Sequence, residues 1–488
     1  MADGEVEAEH VGAHPLTAGP ILRTLIAFAL PTLASNVVQS LNGSINAMWV
    51  GRLLGKTGLA ATSNANLIMF MVFSLIFGLG MATTVLIGQT MGRRDIDGMR
   101  RILGAGVSLF LAVSLSVTVT AWCEAPALLH LLGTPADVYP QSLAYARTMF
   151  LGLPAGLLMV YLQMALRGMG DSHTPLLFIL PSALIDVGLN PVLILGLGPA
   201  PRMGIAGSAA AGVTASYVTL TLLLGYIYRR DLPLRLRGAE WRYLLPARDP
   251  VVRIVRMGAP MGLQMIVTAG ASLAMMGLVN RQGTNTVAAY GAANQLWTYI
   301  QMPAVAVAMA VSAMAAQNIG AGRWDRINRI ALSGVAINVL MTMALVAAVI
   351  LPDRAVLGLF LGRDAAAIDV ARHINLLSSW SFTLLGVTMV LSAVPRANGV
   401  TLAPLVIIIL TLIPGRLGFA HLLTPVLGAD ALWWSFPAGS GIGVVLTALY
   451  YRYGGWRRIR GLVVPTPDEA EEFIQTEAEP AGRIQPAG

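Results

Sequence analysis

Lysine and cysteine are almost missing: Lys56 is the only lysine and Cys123 the only cysteine in 488 residues. One cysteine excludes an intrachain disulfide, as suits a protein of the cytoplasmic membrane. Charge is scarce as well, at 11% of residues against 56% hydrophobic. Soluble domains carry about 25% charged residues, and a water-soluble chain of this length would need more polar surface than this one has. Period-2 alternation is lacking from the apolar runs, which disfavours an outer-membrane β-barrel. There is no phosphate-binding glycine loop, no His-Glu-x-x-His helix and no nucleophile elbow. The sequence therefore offers no ATP site to power work, and it is not read as an enzyme or as needing a cofactor.

What it has is long uncharged stretches. Phe70–Ile87 and Gly334–Leu351 each run without a charge, and about 18–20 such residues cross a hydrocarbon core as a helix. The fold class expected is an all-α integral membrane protein with twelve transmembrane helices in two pseudo-symmetric six-helix lobes. The first six spans are 21–50, 59–89, 101–124, 140–166, 174–197 and 204–228. The second six are 252–280, 286–316, 329–351, 368–394, 402–424 and 431–451. Pro31, Pro181, Pro260, Pro303 and Pro414 lie within or at the ends of spans, where each removes a helical hydrogen bond and favours a kink. The N-terminal lobe is placed at 21–228 and the C-terminal lobe at 252–452, joined by a linker at 229–251. Residues 1–20 and 453–488 read as disordered tails, the first without a signal peptide.

The net charge of +8 comes from arginines in the loops, and these are unevenly shared between alternate loops. One side holds Arg93, Arg94, Arg100 and Arg101, then Arg323, Arg326 and Arg329, the linker arginines, and Arg457, Arg458 and Arg460. The other has Arg52, Lys56, Arg202, Arg281, Arg354 and Arg363. The positive-inside rule places both termini and the linker in the cytoplasm. Basic charge distributed this way reports topology, so no nucleic-acid partner is expected. The bilayer is the expected surrounding, and the chain is expected to be a monomer.

An internal repeat organises the chain. Gln89-Thr-Met-Gly92 recurs as Gln317-Asn-Ile-Gly320 after 228 positions, and Leu59-Ala-Ala recurs as Val287-Ala-Ala at the same offset. Arg167-Gly-Met-Gly-Asp171 with Pro175 recurs as Arg396-Ala-Asn-Gly399 with Pro404, 229 positions on. Pro31 pairs with Pro260 at that offset too. Six spans per repeat is an even number, so the halves are expected to be parallel and related by an axis along the membrane normal.

The motifs, in order, are Asn46-Ala-Met-Trp-Val-Gly51 with Leu59-Ala-Ala, Gln89-x-x-Gly92, Arg167-Gly-x-Gly-Asp171 and Asp186-x-x-x-Asn190-Pro191 with Gly196-x-Gly198. They continue with Gly204-x-x-Gly207-Ser-Ala, Gln317-x-x-Gly320 and Trp433-Trp434-x-x-Pro437. Together these resemble the multidrug and toxic compound extrusion (MATE) family over about residues 20–455. The resemblance implies two lobes around a central cavity, alternating access, and export of mostly cationic amphiphiles against H⁺ or Na⁺. Two departures qualify it. Asn46 stands where many members carry an acid in span 1. The acids that sodium-linked members carry in spans 7 and 10 are absent, leaving Gln264 and Thr268 in one and Ser378, Ser379, Ser381 and Thr383 in the other.

Asp186 lies inside the apolar run of span 5. An aspartate at a helix centre costs about 2.5–3.5 kcal/mol to insert, so it calls for a partner, a cavity or a function. Asn190 follows one turn later on the same face. Asp186, Asn190 and Asn46 are the expected ion-coupling group, H⁺ being the expected ion and Na⁺ the alternative. A structural Asp186 pinning a kink beside Pro181 or Pro191 is the competing reading. Ser35, Gln39, Asn42 and Asn46 form one polar stripe on span 1, facing either a cavity or a neighbouring helix, because lipid satisfies no polar group. Tyr290, Asn294, Trp297 and Gln301 repeat that spacing on span 8, where rings beside amides suit organic cations. Core packing accounts for the span 8 stripe equally well. The substrate-binding candidates are Gln39, Asn42, Gln163, Gln264, Tyr290, Asn294 and Trp297, with Asn64 and Asn66 as further ones. The glycines and Arg–Asp pairs in the loops after spans 2, 4 and 8 read as turns and charge anchors. The function expected is a proton-coupled antiporter for cationic drugs. A flippase for lipid-linked oligosaccharides and a Na⁺-coupled exporter are the alternatives; a channel or membrane-embedded enzyme is a third class.

Overall fold

The computed structural model describes residues 16–131, 133–136, 138–362 and 365–458. The expectations for residues 1–15 and 459–488, and for Arg363, lie outside the described residues. Every regular element among the described residues is helical. Ten helices are long and apolar enough to cross a membrane, and two bent helix pairs bring the number to twelve.

Spans 1 and 2 lie in one helical run, Ile21–Arg93, broken at Gly55 where φ is 70° and ψ −160°. Only glycine holds that backbone without strain. Span 3 is longer than its apolar core predicts, Ile96–Leu131. Span 4 is two helices, Tyr139–Leu151 and Leu153–Met169, meeting at 47° at Gly152. Span 10 is likewise split, Ala366–Ser378 and Ser381–Ala397, at 43°. Neither break falls at the expected prolines. Pro31, Pro181, Pro260 and Pro303 sit inside continuous helices. Pro414 belongs to a π-helical turn, Ile413–Gly418, in the middle of span 11 (Leu402–Leu427).

Leu184, Leu340 and Val426 keep more than 70% of their surface exposed, as suits side chains that meet lipid tails. The larger apolar core includes the ends of spans 2, 4, 8 and 10 on the arginine-rich side and is continuous across both halves. The smaller one stays within the C-terminal half, away from that side. The halves are thus joined chiefly at the arginine-rich end.

Close backbone approach makes that joint. A side chain at Gly78 of span 2 would collide with the Gly258 and Gly262 backbone of span 7, a small-residue crossing of the kind that holds helices together in lipid. The two Gln-x-x-Gly motifs meet across the halves. A Cβ at Gly92 would strike the Gln317 carbonyl, and one at Gly320 would strike the Gln89 carbonyl. Gln89 Nε2 donates to the Ala397 carbonyl at 2.6 Å, and Gln317 Nε2 donates to that of Gly168 at 3.0 Å. Each half therefore grips the last turn of the bent span of the other. The chain before span 1 adds a strap: the Leu16 amide donates to Gln317 Oε1 at 3.1 Å, and Asn318 Nδ2 donates to the Leu16 carbonyl at 3.1 Å. Arg323 and Arg326 donate to the carbonyls of Thr17 and Gly19.

The linker is docked along span 3. Arg100 donates to the Pro233 carbonyl and pairs with Glu240 at 2.5 Å, and Tyr243 donates to Asp97. The loop acids mostly cap helices. Asp171 accepts from the amides of His173 and Thr174, while Arg167, expected as its anchor, is buried without an acid. A short helix start takes up the carboxylate there, and the guanidinium instead lies against Met164 sulfur.

Candidate functional site

Asp186 comes from the middle of His173–Leu195 and is 5% exposed. Asn42 Nδ2 donates to its Oδ2 at 2.8 Å and Asn46 Nδ2 donates to the same oxygen at 2.6 Å. Those amides stand one turn apart on span 1, so one helix face delivers both. Asn190, one turn after Asp186, donates to Asn46 Oδ1 at 2.9 Å and to Ser208 Oγ of span 6 at 3.1 Å. Spans 1, 5 and 6 are thereby tied through one polar cluster.

The cluster is short of donors. Asp186 Oδ1, Asn42 Oδ1 and Asn190 Oδ1 are buried acceptors without a hydrogen bond. A bare buried acceptor costs about 1–3 kcal/mol, and three together can accept from a proton, a cation or a donor group. Gly212 on span 6 keeps that place open: a Cβ there would sit 3.6 Å from Asp186 Oδ1. A cavity of about 310 Å³ adjoins it, lined by Asn46, Asp186 and Ser208 with Asn66, Met69, Phe73, Tyr145 and Met149. It lies within the N-terminal half, among spans 1, 2, 4, 5 and 6.

The remaining sequence candidates divide. Gln39 is exposed on span 1 and stays out of the cluster. Gln163 is buried in span 4, away from the cavity lining. Asn66 lines the cavity; the side chain of Asn64 lies outside the described residues. In the C-terminal half, Gln264 is buried and donates to the Thr401 carbonyl at 3.4 Å. Tyr290 and Trp297 sit in an aromatic cluster, whereas Asn294 is exposed on the same helix. Tyr290 stacks on Trp433 at 5.9 Å, and Trp297 packs on Phe436 at 4.9 Å and Phe382 at 5.2 Å. Trp297 Nε1 donates to Asn375 Oδ1 and Ser379 Oγ of span 10, which fixes its ring.

Three contributors were not read from the sequence. Ser208 is a small hydroxyl with no periodic partner, and Tyr145 stands near the broken end of span 4. The third is Arg416, a cation in the middle of span 11. Its guanidinium lies 3.4 Å from the centre of the Phe436 ring. A lone charge in an otherwise apolar span was the available signal.

The MatE family model matches residues 31–192 and again 260–420. The Bacillus subtilis (strain 168) probable multidrug resistance protein YoeA is 32% identical over 435 residues, spanning 89% of this chain and 94% of its own. The bent form of the Vibrio cholerae MATE transporter VcmN superposes with a TM-score of 0.83 at 18% identity, covering 90% of this chain and 97% of that one. An outward-facing multidrug resistance MATE transporter of the MOP superfamily superposes at 0.84 with 21% identity, covering 93% and 99%. The chain belongs to the MATE family of multidrug efflux transporters. It is a multi-pass membrane transporter and not an enzyme.

Proposed function

We propose that this transporter exports cationic or amphiphilic compounds in exchange for protons, with Asp186 as the proton-binding group. The observation that carries the reading is the half-satisfied carboxylate: two amides on Oδ2, nothing on Oδ1, and the open space of Gly212 and the cavity beside it. A proton on Oδ1 removes the charge and loosens the hold on a bound organic cation. Exchange then follows from competition for one carboxylate. Aromatic and methionine side chains, Phe73, Tyr145, Met69 and Met149, supply the apolar wall such a guest needs. In this reading the chain works as a monomer in the cytoplasmic membrane, with both termini and the arginine-rich end in the cytoplasm. The sealed arginine-rich end then makes this the outward-facing state.

Sodium is the second reading, favoured by the three bare oxygens of Asp186, Asn42 and Asn190. One carboxylate among neutral ligands is little charge for a hard cation, which ranks the proton first. A pyrophosphate-linked flippase substrate would need several cations around its cavity, and the cavity lining includes none. The test is drug efflux from vesicles under an imposed ΔpH or ΔpNa, one at a time. The expected result is ΔpH-driven transport that Asp186→Asn abolishes while the variant still inserts and folds. Transport by Asp186→Asn that still follows ΔpH would move the proton site elsewhere. Wild-type transport driven by sodium at equal pH would replace the ion.

A further inference from the structure

The linker after span 6 climbs beside span 3. Tyr243 donates to Asp97 near the start of that span, and the Tyr243 carbonyl fills the space a Cβ on Gly104 would need. Further along, Ser108 donates to the Leu244 carbonyl. Span 3 is uncharged over residues 102–123. Ser108 stands seven residues beyond Arg101, about 10 Å along the helix. The end of the linker segment 237–245 therefore reaches the level at which span 3 is already apolar.

The segment has two faces. Tyr243 and Leu244 pack inward on the larger core, while Trp241 and Leu245 are 53% and 72% exposed. Bare at that depth, such side chains suit the border between headgroups and acyl chains, where indole rings collect. The exposed face is continuous with a lipid-facing one. Trp241 stacks on Tyr228 with 6.4 Å between ring centres, and Tyr228 lies in the last turn of span 6, whose Val218 and Leu222 are exposed. The free charge here is of one sign. Asp231 pairs with Arg235 and Arg237, and Glu240 pairs with Arg100 at 2.5 Å. Arg229 and Arg242, each next in sequence to one of the stacked rings, are exposed and make no ion pair among the described residues. Arg242 meets only a ring face, 5.4 Å from the centre of Tyr243, so its N–H groups keep their donor capacity.

We propose that this face of the linker binds an anionic phospholipid from the leaflet at the arginine-rich end. Arg229 and Arg242 hold the phosphate, and Trp241 with Leu245 lies against the glycerol and the upper acyl chains. A phosphate meets a guanidinium at its edge, which leaves the packing on the Tyr243 ring undisturbed. Each basic residue beside a span raises affinity for an anionic lipid surface about fivefold. An acidic protein partner would use the arginines but not the apolar side chains at the level of span 3's uncharged stretch; a lipid uses both. The site is independent of the compound and the ion carried.

The test is native mass spectrometry of the purified full-length protein, titrated with dioleoylphosphatidylglycerol and, separately, with dioleoylphosphatidylcholine. Wild type should bind the first lipid more tightly. Arg229→Gln with Arg242→Gln should weaken the tightest-bound phosphatidylglycerol about 25-fold, fivefold for each arginine, and leave phosphatidylcholine within twofold. Arg229→Lys with Arg242→Lys should keep most of the preference, because a point charge still takes a phosphate; that outcome separates lost charge from lost folding. Arg452→Gln with Arg458→Gln removes the same net charge from the same end and should change little. Depth is read with a bimane on Leu245→Cys in a Cys123→Ser background, which brominated acyl chains should quench and aqueous iodide should not. Wild type without a lipid preference, or an equal loss from the Arg452 and Arg458 pair, would overturn the proposal. So would a bimane quenched by iodide alone, which puts the segment in water, or inorganic phosphate that displaces the lipid at equal concentration, which makes the site one for the free anion.

Discussion

Gln89 and Gln317 occupy equivalent places in the repeat but are not equally engaged, and this yields a quantitative prediction. Gln89 makes one side-chain hydrogen bond, to the Ala397 carbonyl, and its Oε1 is buried without a donor. Gln317 makes two, donating to the Gly168 carbonyl and accepting from the Leu16 amide. All three bonds cross between the halves, so parting the halves at the arginine-rich end would break them. A neutral hydrogen bond contributes about 1 kcal/mol net. Gln89→Ala should therefore raise the population open at that end about 5-fold, and Gln317→Ala about 30-fold. The assay is the maleimide labelling rate of a cysteine placed at Ala313, buried beside Gly88 in the seal, in a Cys123→Ser background. With fast opening and closing, that rate follows the open fraction. Equal rates in the two variants, or a larger effect from Gln89→Ala, would show that the strap adds nothing and refute the reasoning.

Other expectations follow from single contacts. Asn46→Leu removes one donor from Asp186 and the acceptor of Asn190; binding of tetraphenylphosphonium, followed by calorimetry, should weaken tenfold or more, on the order of 1.4 kcal/mol. Gly92→Leu forces a side chain onto the Gln317 carbonyl and should lower the melting temperature of the purified protein, whereas Gly156→Ala, whose Cβ meets nothing within 4 Å, should leave it unchanged. Outside the membrane, hydrogen bonding from Arg237 above all, then Arg235, holds the Asp231 carboxyl below its ordinary range. The contact therefore orders the linker above about pH 4 and is lost as pH falls through the lowered value. Amide exchange over residues 231–237 should be slow at pH 6 and quicken, relative to the intrinsic rate, on acidification, and Asp231→Asn should show the quickened behaviour at pH 6 already.

Much of the scaffold was legible because lipid imposes one rule: backbone groups must bond within the helix, so apolar length reports a span directly. The breaks were not. Spans 4 and 10 bend at Gly152 and around Trp380, while prolines that should have signalled bends sit in continuous helices. At span 4 the local signal was Gly152 with Pro154 in the first turn of the second helix; at span 10 no proline stands at the break. The Asp186 cluster was legible from periodicity, since Asn42 with Asn46 and Asp186 with Asn190 each repeat at one helical turn. Gln39 carried the same signal but is exposed on span 1, outside the hydrogen-bonded cluster. The span 8 stripe split in the same way, with Trp297 inside the cluster and Asn294 outside it. Arg416 carried a signal of the same kind, since a lone cation in an apolar span is as costly as a lone acid.

The strap at Leu16–Gly19 has a mechanical meaning. These residues precede span 1 in the chain, yet they rest on Gln317, Asn318, Arg323 and Arg326 of the opposite half. Beyond the direct contacts of the two Gln-x-x-Gly motifs, the halves are tied by the docked linker between spans 6 and 7 and by this first segment. A body hinged twice swings through a smaller angle than one hinged once, and it swings about the line through both hinges. Cutting either tie should widen the swing, and a probe attached just ahead of Leu16 would travel with the half to which it does not covalently belong.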